Sequence, residues 1–268
     1  MINVEILTIG NEILLGLVED TNSNYLCRVV RGMGGRVRHV AVVRDEIDAI
    51  ADEIRAAGAR RAELIFTCGG LGPTDDDLTL SAIAKAADVR LEINETAKQL
   101  VESRYRELAA QGLVSSAEMN EARLKMARLP EGARPVENPV GAAPAVVVEC
   151  IGARIVSLPG VPAELRGIIE GPLQTLLTEV FGRGSYRERQ MTVECGDESE
   201  LAPALRKVAL AHAEVYIKSR ASHFGADVKF RILISASGSS TEETEQMIES
   251  AAADLTRALG DAGIKQQR

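Results

Sequence analysis

The chain has 268 residues, of which 46% are apolar, 26% charged and only 3% aromatic, with no tryptophan, so its core is aliphatic and large enough to form without disulfides. A formal charge of −8 works against binding to nucleic acid or to an anionic membrane, which leaves small anionic ligands held by local amides or metal. Cys27, Cys68, Cys150 and Cys195 are far apart and show no zinc-type spacing, no stretch is long enough to span a membrane, and no basic leader precedes the first strand pattern. A reduced, cytoplasmic protein of one large or two smaller domains is expected.

Residues 4–9 are apolar enough for a buried strand, and Leu26, Val29, Val30 and Met33 mark one face of a helix that stops at Gly34 and Gly35. Residues 37–43 read as the next strand, Asp45 as an N-cap, and Ile47, Ile50, Ala51 and Ile54 as the buried face of a second helix. A short strand at 64–67 runs into a glycine-rich loop, after which Leu80, Ile83, Ala84 and Ala87 mark a third helix. Three βα units in a row imply an α/β fold with a parallel sheet and right-handed crossovers. Residues 94–127 carry two helical patterns broken near Gly112, an insertion or lid that can pack on a second subunit. Residues 145–149 and 154–158 read as a hairpin around Gly152, followed by one helix over 162–177. Beyond a linker at 182–184, strands near 190–195, 214–218 and 228–235 and helices at 200–211 and 241–259 make a second, smaller α+β unit.

The strongest chemical signal is the loop CGGLGPTDDDLT at residues 68–79. Gly69, Gly70 and Gly72 permit backbone angles closed to other residues and let a ligand approach the amides, and the helix start beyond offers unpaired N–H groups, so phosphate is the expected guest. The carboxylates of Asp75, Asp76 and Asp77 conflict with that guest, since like charges about 4 Å apart repel by about 4 kcal/mol at an effective dielectric near 20. A hard divalent cation on one or two of them resolves the conflict and can activate water. The alternative is that they only charge-match the helix, with Thr74 or Asp75 as its N-cap, a role that needs no ligand.

Other motifs are excluded or weaker. Lys85 lies too far into the helix to serve a P-loop, and residues 10–16 do not satisfy the dinucleotide glycine pattern. Glu12, Asp20 and Asn22 follow the first strand and can reach the same crevice as the Gly70 loop, although Asp20 or Thr21 can equally cap its helix. His39, His212 and His223 lack ligand spacing, Cys68 reads as a buried small side chain, and Arg183, Arg187 and Arg189 read as a solvated linker face.

Residues 10–16 with Asp20, Thr21 and Asn22, residues 69–79, residues 138–144 and residues 158–164 together resemble the CinA (competence/damage-inducible) family and, more distantly, molybdenum-cofactor biosynthesis domains. The resemblance implies a three-layer, mostly parallel, molybdopterin-binding-like α/β domain over residues 1–180 and a KH-type α+β domain over 186–268. It also implies a metal-dependent pyrophosphatase acting on ADP-ribose or a related dinucleotide, served by Mg²⁺, Mn²⁺ or Co²⁺ with potassium as a further cation, in a homodimer. Carried over by motif, Asp76 and Asp77 are catalytic and Asp75, Asp76 and Asp77 ligate metal. Gly10, Glu12, Asp20, Asn22, Asp45, Gly69, Gly70, Gly72, Thr74, Gly141, Pro159 and Gly160 form the substrate pocket. Cys68 and Ala145 stand where the family has threonine and glycine. Family members continue into a deamidase domain acting on nicotinamide mononucleotide, an activity expected to be absent here. A pterin-binding or adenylylating protein of the molybdenum-cofactor kind and a non-catalytic nucleotide sensor are the competing expectations.

Overall fold

The structure, a computed structural model, describes residues 2–182, 184–221, 229–238 and 240–267; the expectations placed on Arg183, His223, Val228 and Ser239 lie outside the described residues. The chain divides into two compact units, Ile2–Val30 with Arg36–Val180, and Phe181–Arg268 with Arg31–Gly35.

In the larger unit β1 (Asn3–Ile9) leads through α1 (Asn11–Leu14) and α2 (Thr21–Gly32) to β2 (Arg36–Val43), and α3 (Ile47–Ala59) leads to β3 (Leu64–Cys68) and α4 (Thr79–Ala87). After β4 (Leu91–Ile93) come α5 (Glu95–Ala110), α6 (Glu121–Lys125), β5 (Arg128–Pro130) and β6 (Arg134–Val136). The hairpin β7 (Ala145–Cys150) and β8 (Ala153–Leu158) precedes α7 (Pro162–Glu170) and α8 (Gln174–Phe181). The main sheet runs β2-β1-β3-β8-β7-β6; its first four strands are parallel, β7 is antiparallel to β8, and β6 pairs antiparallel with β7 and so runs with the first four. The chain goes outward from β1 to β2 and then back across to β3, so the loops after β1 and β3 part at a switch point and leave a crevice at the carboxyl ends of the strands.

The expected mostly parallel, three-layer α/β architecture is what folds. Central strands covered on both faces must be apolar throughout, and β3 is buried at every residue. Leu7, Ile65 and Ile155 point into one core with Ile50 and Ile54 of α3 and Ile83 of α4, while the alternate residues Ile6, Phe66 and Val156 are equally buried on the opposite face. The helical arm is no outlying lid: Ala97 and Val101 of α5, with Met126 and Ala127 after α6, sit in that same core.

Two local expectations are corrected. Residues 11–14, read as loop, form the short helix α1. The single helix expected over 162–177 is two, because Pro172 disfavours helical angles at Gly171, which sits at φ −117° and ψ −109°.

The smaller unit contains β9 (Ser185–Glu194), α9 (Glu198–Ala211), β10 (Val215–Ala221), β11 (Lys229–Gly238), α10 (Thr241–Asp261) and β12 (Lys265–Gln266). Its sheet is antiparallel in the order β10-β11-β9-β12, and one face, including Val193, Phe230, Ile232 and Ile234, packs on Leu201 and Val208 of α9 and Ile248 and Leu255 of α10. That order of elements is the split βαβ arrangement. Arg187 and Arg189 lie exposed on β9, in a strand and not in a linker.

Candidate functional site

The crevice at the switch point is a cavity of about 600 Å³, walled by the segments that follow β1, β2, β3 and β8. The loop after β3 is its floor. Gly69 and Gly70 take φ of 104° and 68°, which side chains other than glycine rarely adopt, and a Cβ on Gly69 would run into the Ile9 carbonyl oxygen. The turn is fastened by Thr79, whose hydroxyl donates to the Gly69 carbonyl at 2.7 Å and whose N–H donates to the Gly70 carbonyl at 3.2 Å. The Gly69 N–H donates to the Leu158 carbonyl at 2.9 Å, and the Asn22 amide donates to the Gly160 carbonyl at 2.7 Å, which ties the loops after β1, β3 and β8 into one rim.

The aspartate run folds back on Thr74. The Thr74 hydroxyl lies 2.5 Å from Asp76 Oδ1 and 2.6 Å from Asp77 Oδ2, and its N–H donates to Asp77 Oδ2 at 2.8 Å. The Thr74 hydroxyl, then the Asp76 N–H, then the Lys125 ammonium hold the Asp76 carboxyl below its ordinary range. Gly72 makes room for Asp77, because a Cβ there would come within 2.6 Å of Asp77 Oδ2. The capping expectation for this segment fails: α4 starts at Thr79, its N-cap position is Leu78, and no side chain caps it.

Asp45 corrects another local reading. Glu46 occupies the N-cap position of α3 without a side-chain cap bond, and the Asp45 carboxylate accepts the Asn11 N–H at 2.7 Å, across the crevice mouth. Asp20 does both things expected of it: it lines the cavity, and its carboxylate accepts the Ser23 N–H at 2.9 Å in the first turn of α2 and the Thr8 hydroxyl at 3.0 Å.

The structure brings Gly10, Glu12, Asp20, Asn22, Asp45, Gly69, Gly70, Gly72, Asp76, Asp77, Pro159 and Gly160 onto the cavity wall, and leaves Thr74, Asp75 and Gly141 off it. Gly141 acts one residue removed: it packs directly against the carboxylate of Glu164, which lines the cavity and accepts from the Asn138 amide at 2.7 Å. Glu164, Thr8 and Tyr105 are wall residues to which the sequence reading gave no role; of the three only Glu164 had a signal, as the last residue of the fourth motif, four residues after Gly160. Burial pushes the Cys68 thiol strongly up, so this wall residue is an inert small side chain.

The metal expectation meets a specific geometry. Among the described residues no group of three or more histidine, cysteine, aspartate or glutamate side chains is arranged to hold an ion, and Asp75 does not line the cavity. Asp76 and Asp77 remain, and two carboxylates suit Mg²⁺, which keeps most of its waters and takes its other ligands from substrate phosphates. The donor set therefore fits a metal that arrives with a phosphate ligand, and does not fit an all-protein cage.

A switch-point crevice floored by a glycine loop and edged by aspartates lies where open α/β sheets bind their ligands. Residues 5–179 match the family described as probable molybdopterin binding domain, and the chain belongs to that family. A protein of Caldivirga maquilingensis is 42% identical over 252 residues, which cover 93% of this chain and 94% of the relative; one of Thermococcus kodakarensis is 37% identical, covering 92% and 96%. Among solved structures, the protein CinA of unknown function from Thermoplasma acidophilum is 34% identical with a TM-score of 0.59, covering 65% of this chain and 97% of its own. The CinA likeness read from the motifs thus extends to the fold. No helix among the described residues is long and apolar enough to cross a membrane.

Proposed function

We propose that the crevice binds a phosphoanhydride as its metal complex and hydrolyses it, making the chain a metal-dependent pyrophosphatase for ADP-ribose or a related dinucleotide. The observation that carries this reading is the charge of the wall. Glu12, Glu19, Asp20, Asp45, Asp76, Asp77 and Glu164 line the cavity, and among the described residues no lysine, arginine or histidine does. A glycine loop shaped for phosphate, inside a wall of that sign, takes an anion only together with cations.

The residues divide the work. Gly69, Gly70 and Gly72 make a turn whose Cβ positions are taken by Ile9, Thr79 and Asp77; Thr79 and the Leu158 carbonyl fix it in advance, and its remaining amides would take one phosphate. Asp76 and Asp77 would hold the metal, and Thr74 keeps their carboxylates together before the ligand arrives. Bound there, a divalent cation neutralises phosphate charge and lowers the pKa of a coordinated water. Glu12, folded over Gly10, and Asp45, held by the Asn11 N–H, would accept hydrogen bonds from the organic half of the ligand.

The test is AMP release from ADP-ribose, FAD and diadenosine diphosphate, with Mg²⁺, Mn²⁺ or Co²⁺, with and without potassium, and with EDTA. Metal-dependent AMP release supports the reading, and its absence with every substrate and metal removes it. The second reading, a molybdopterin-binding or adenylylating protein, is favoured by the family match over residues 5–179. Tight pterin binding without anhydride turnover selects it.

A further inference from the structure

The phosphate floor lies in a wall without cations, yet one ammonium is anchored against the aspartate loop from outside the cavity. Lys125, the last residue of α6, donates its Nζ to the Thr74 carbonyl, 51 residues away in the chain. The neighbouring residue Met126 lines the cavity, so the lysine departs from the pocket wall and ends on the turn that presents Asp76 and Asp77.

Its mounting is firm at every step. The Asn120 side chain caps α6 by accepting the Arg123 N–H at 2.9 Å. The Arg123 guanidinium stacks over the ring of Tyr105 at 3.8 Å and donates to the carbonyls of Ser116 and Glu118. Met126 and Ala127 lock the far end into the core. A long flexible side chain loses rotamer entropy when it is held, and a bond to a surface carbonyl recovers little of it. Bracing alone could come from a neutral donor. What lysine adds is a positive charge beside a site that must admit an anion.

We propose that Lys125 is a positioning residue of this site: it braces the Thr74 turn and offsets the carboxylate field there, so that a doubly charged phosphate group can settle on the glycine loop. The inference rests on the metal–phosphoanhydride reading above and names the protein's own cation for it.

The proposal separates metal binding from anion binding. Removing a cation from an acidic site leaves bare metal binding equal or tighter, and weakens capture of the anion. The experiment is titration calorimetry on the full chain with Mn²⁺ alone, and then with inorganic pyrophosphate at saturating Mn²⁺, for the unsubstituted protein, Lys125→Met and Lys125→Arg. Expected for Lys125→Met is Mn²⁺ affinity unchanged or tighter and pyrophosphate affinity weaker by about tenfold, the size of one partly screened charge interaction near a surface. Lys125→Arg, which keeps the charge, restores pyrophosphate affinity to within about threefold on the same charge argument. If Lys125→Met weakens metal and pyrophosphate together, or neither, the proposal is overturned; the melting temperature, measured in parallel, identifies a general loss of structure. If the unsubstituted protein binds no pyrophosphate with any metal, the proposed function itself falls and takes this inference with it.

Discussion

The two ends of β1 treat negative charge in opposite ways. Near its start Glu5, only 2% exposed, is matched inside the fold: the Arg60 guanidinium forks onto it with Nε–Oε1 at 2.9 Å and Nη2–Oε2 at 2.6 Å, and reaches Glu53 at 2.6 Å as well. At its other end the chain opens into a crevice lined by carboxylates, with no basic wall residue among the described residues. A buried charge that serves the fold carries its counter-charge with it, and Arg60 is held above its already high pKa chiefly by the Glu5 carboxylate. On the proposed reading the wall carboxylates lack basic partners on the wall, at a cost in repulsion that a ligand and its cations would relieve.

The largest effect expected from that contrast is on the ligand side. Asp76→Ala removes an exposed carboxylate that no core contact uses, so turnover falls by about a thousandfold, the scale of losing a metal's anchoring charge, while the melting temperature holds. An active, folded Asp76→Ala enzyme would refute the assignment of catalysis to this loop.

The matched end answers in the reverse sense. Arg60→Met strands the buried Glu5 charge and lowers unfolding free energy by about 2 to 3 kcal/mol, below the cost for a fully enclosed pair because the Arg60 side chain is 39% exposed. Turnover per folded molecule stays constant, since Arg60 is not on the cavity wall. The double substitution Glu5→Leu with Arg60→Met recovers most of the loss, because no charge is then left buried. Urea unfolding of the three variants checks this, and an additive double mutant would show that the two side chains do not act as a pair.

How much of this was legible depends on how far each residue's partner lies along the chain. The βα units were readable because periodicity and glycine stops are local, and the Gly69–Gly70–Gly72 floor because only glycine suits such a turn. Strands β4, β5 and β6 were missed, since three residues give no alternation to read, and β6 contains Pro135, which only an edge strand tolerates. Asp45 misled because a carboxylate before a helix looks like a cap, whereas its partner is a backbone N–H 34 residues earlier. Glu5 was read as part of an apolar run, and nothing local to β1 announces Arg60 as the reason it can be there. Glu164 entered only as the end of the motif at 158–164, with no role; its place on the wall depends on Asn138 and on the bare backbone of Gly141.

The smallest effect expected sharpens the same comparison through pH. The Asp76 carboxyl titrates below its ordinary value of 3.8, and the first cause is the Thr74 hydroxyl. An acid with a lowered pKa stays ionised as pH falls until that lowered value is reached, so the acid limb of kcat/KM lies below the ordinary aspartate range if ionised Asp76 is the active form. Thr74→Val removes the hydroxyl and keeps the N–H that serves Asp77, so it moves that limb upward and changes activity little at neutral pH. Lys85, whose ion pair with Asp48 lies outside the cavity wall, supplies the control: Lys85→Met raises the Asp48 carboxyl toward its ordinary value and leaves the limb where it was. A limb that shifts with Lys85 as much as with Thr74 would assign the pH dependence to the general field of the protein and not to the turn that carries Asp76.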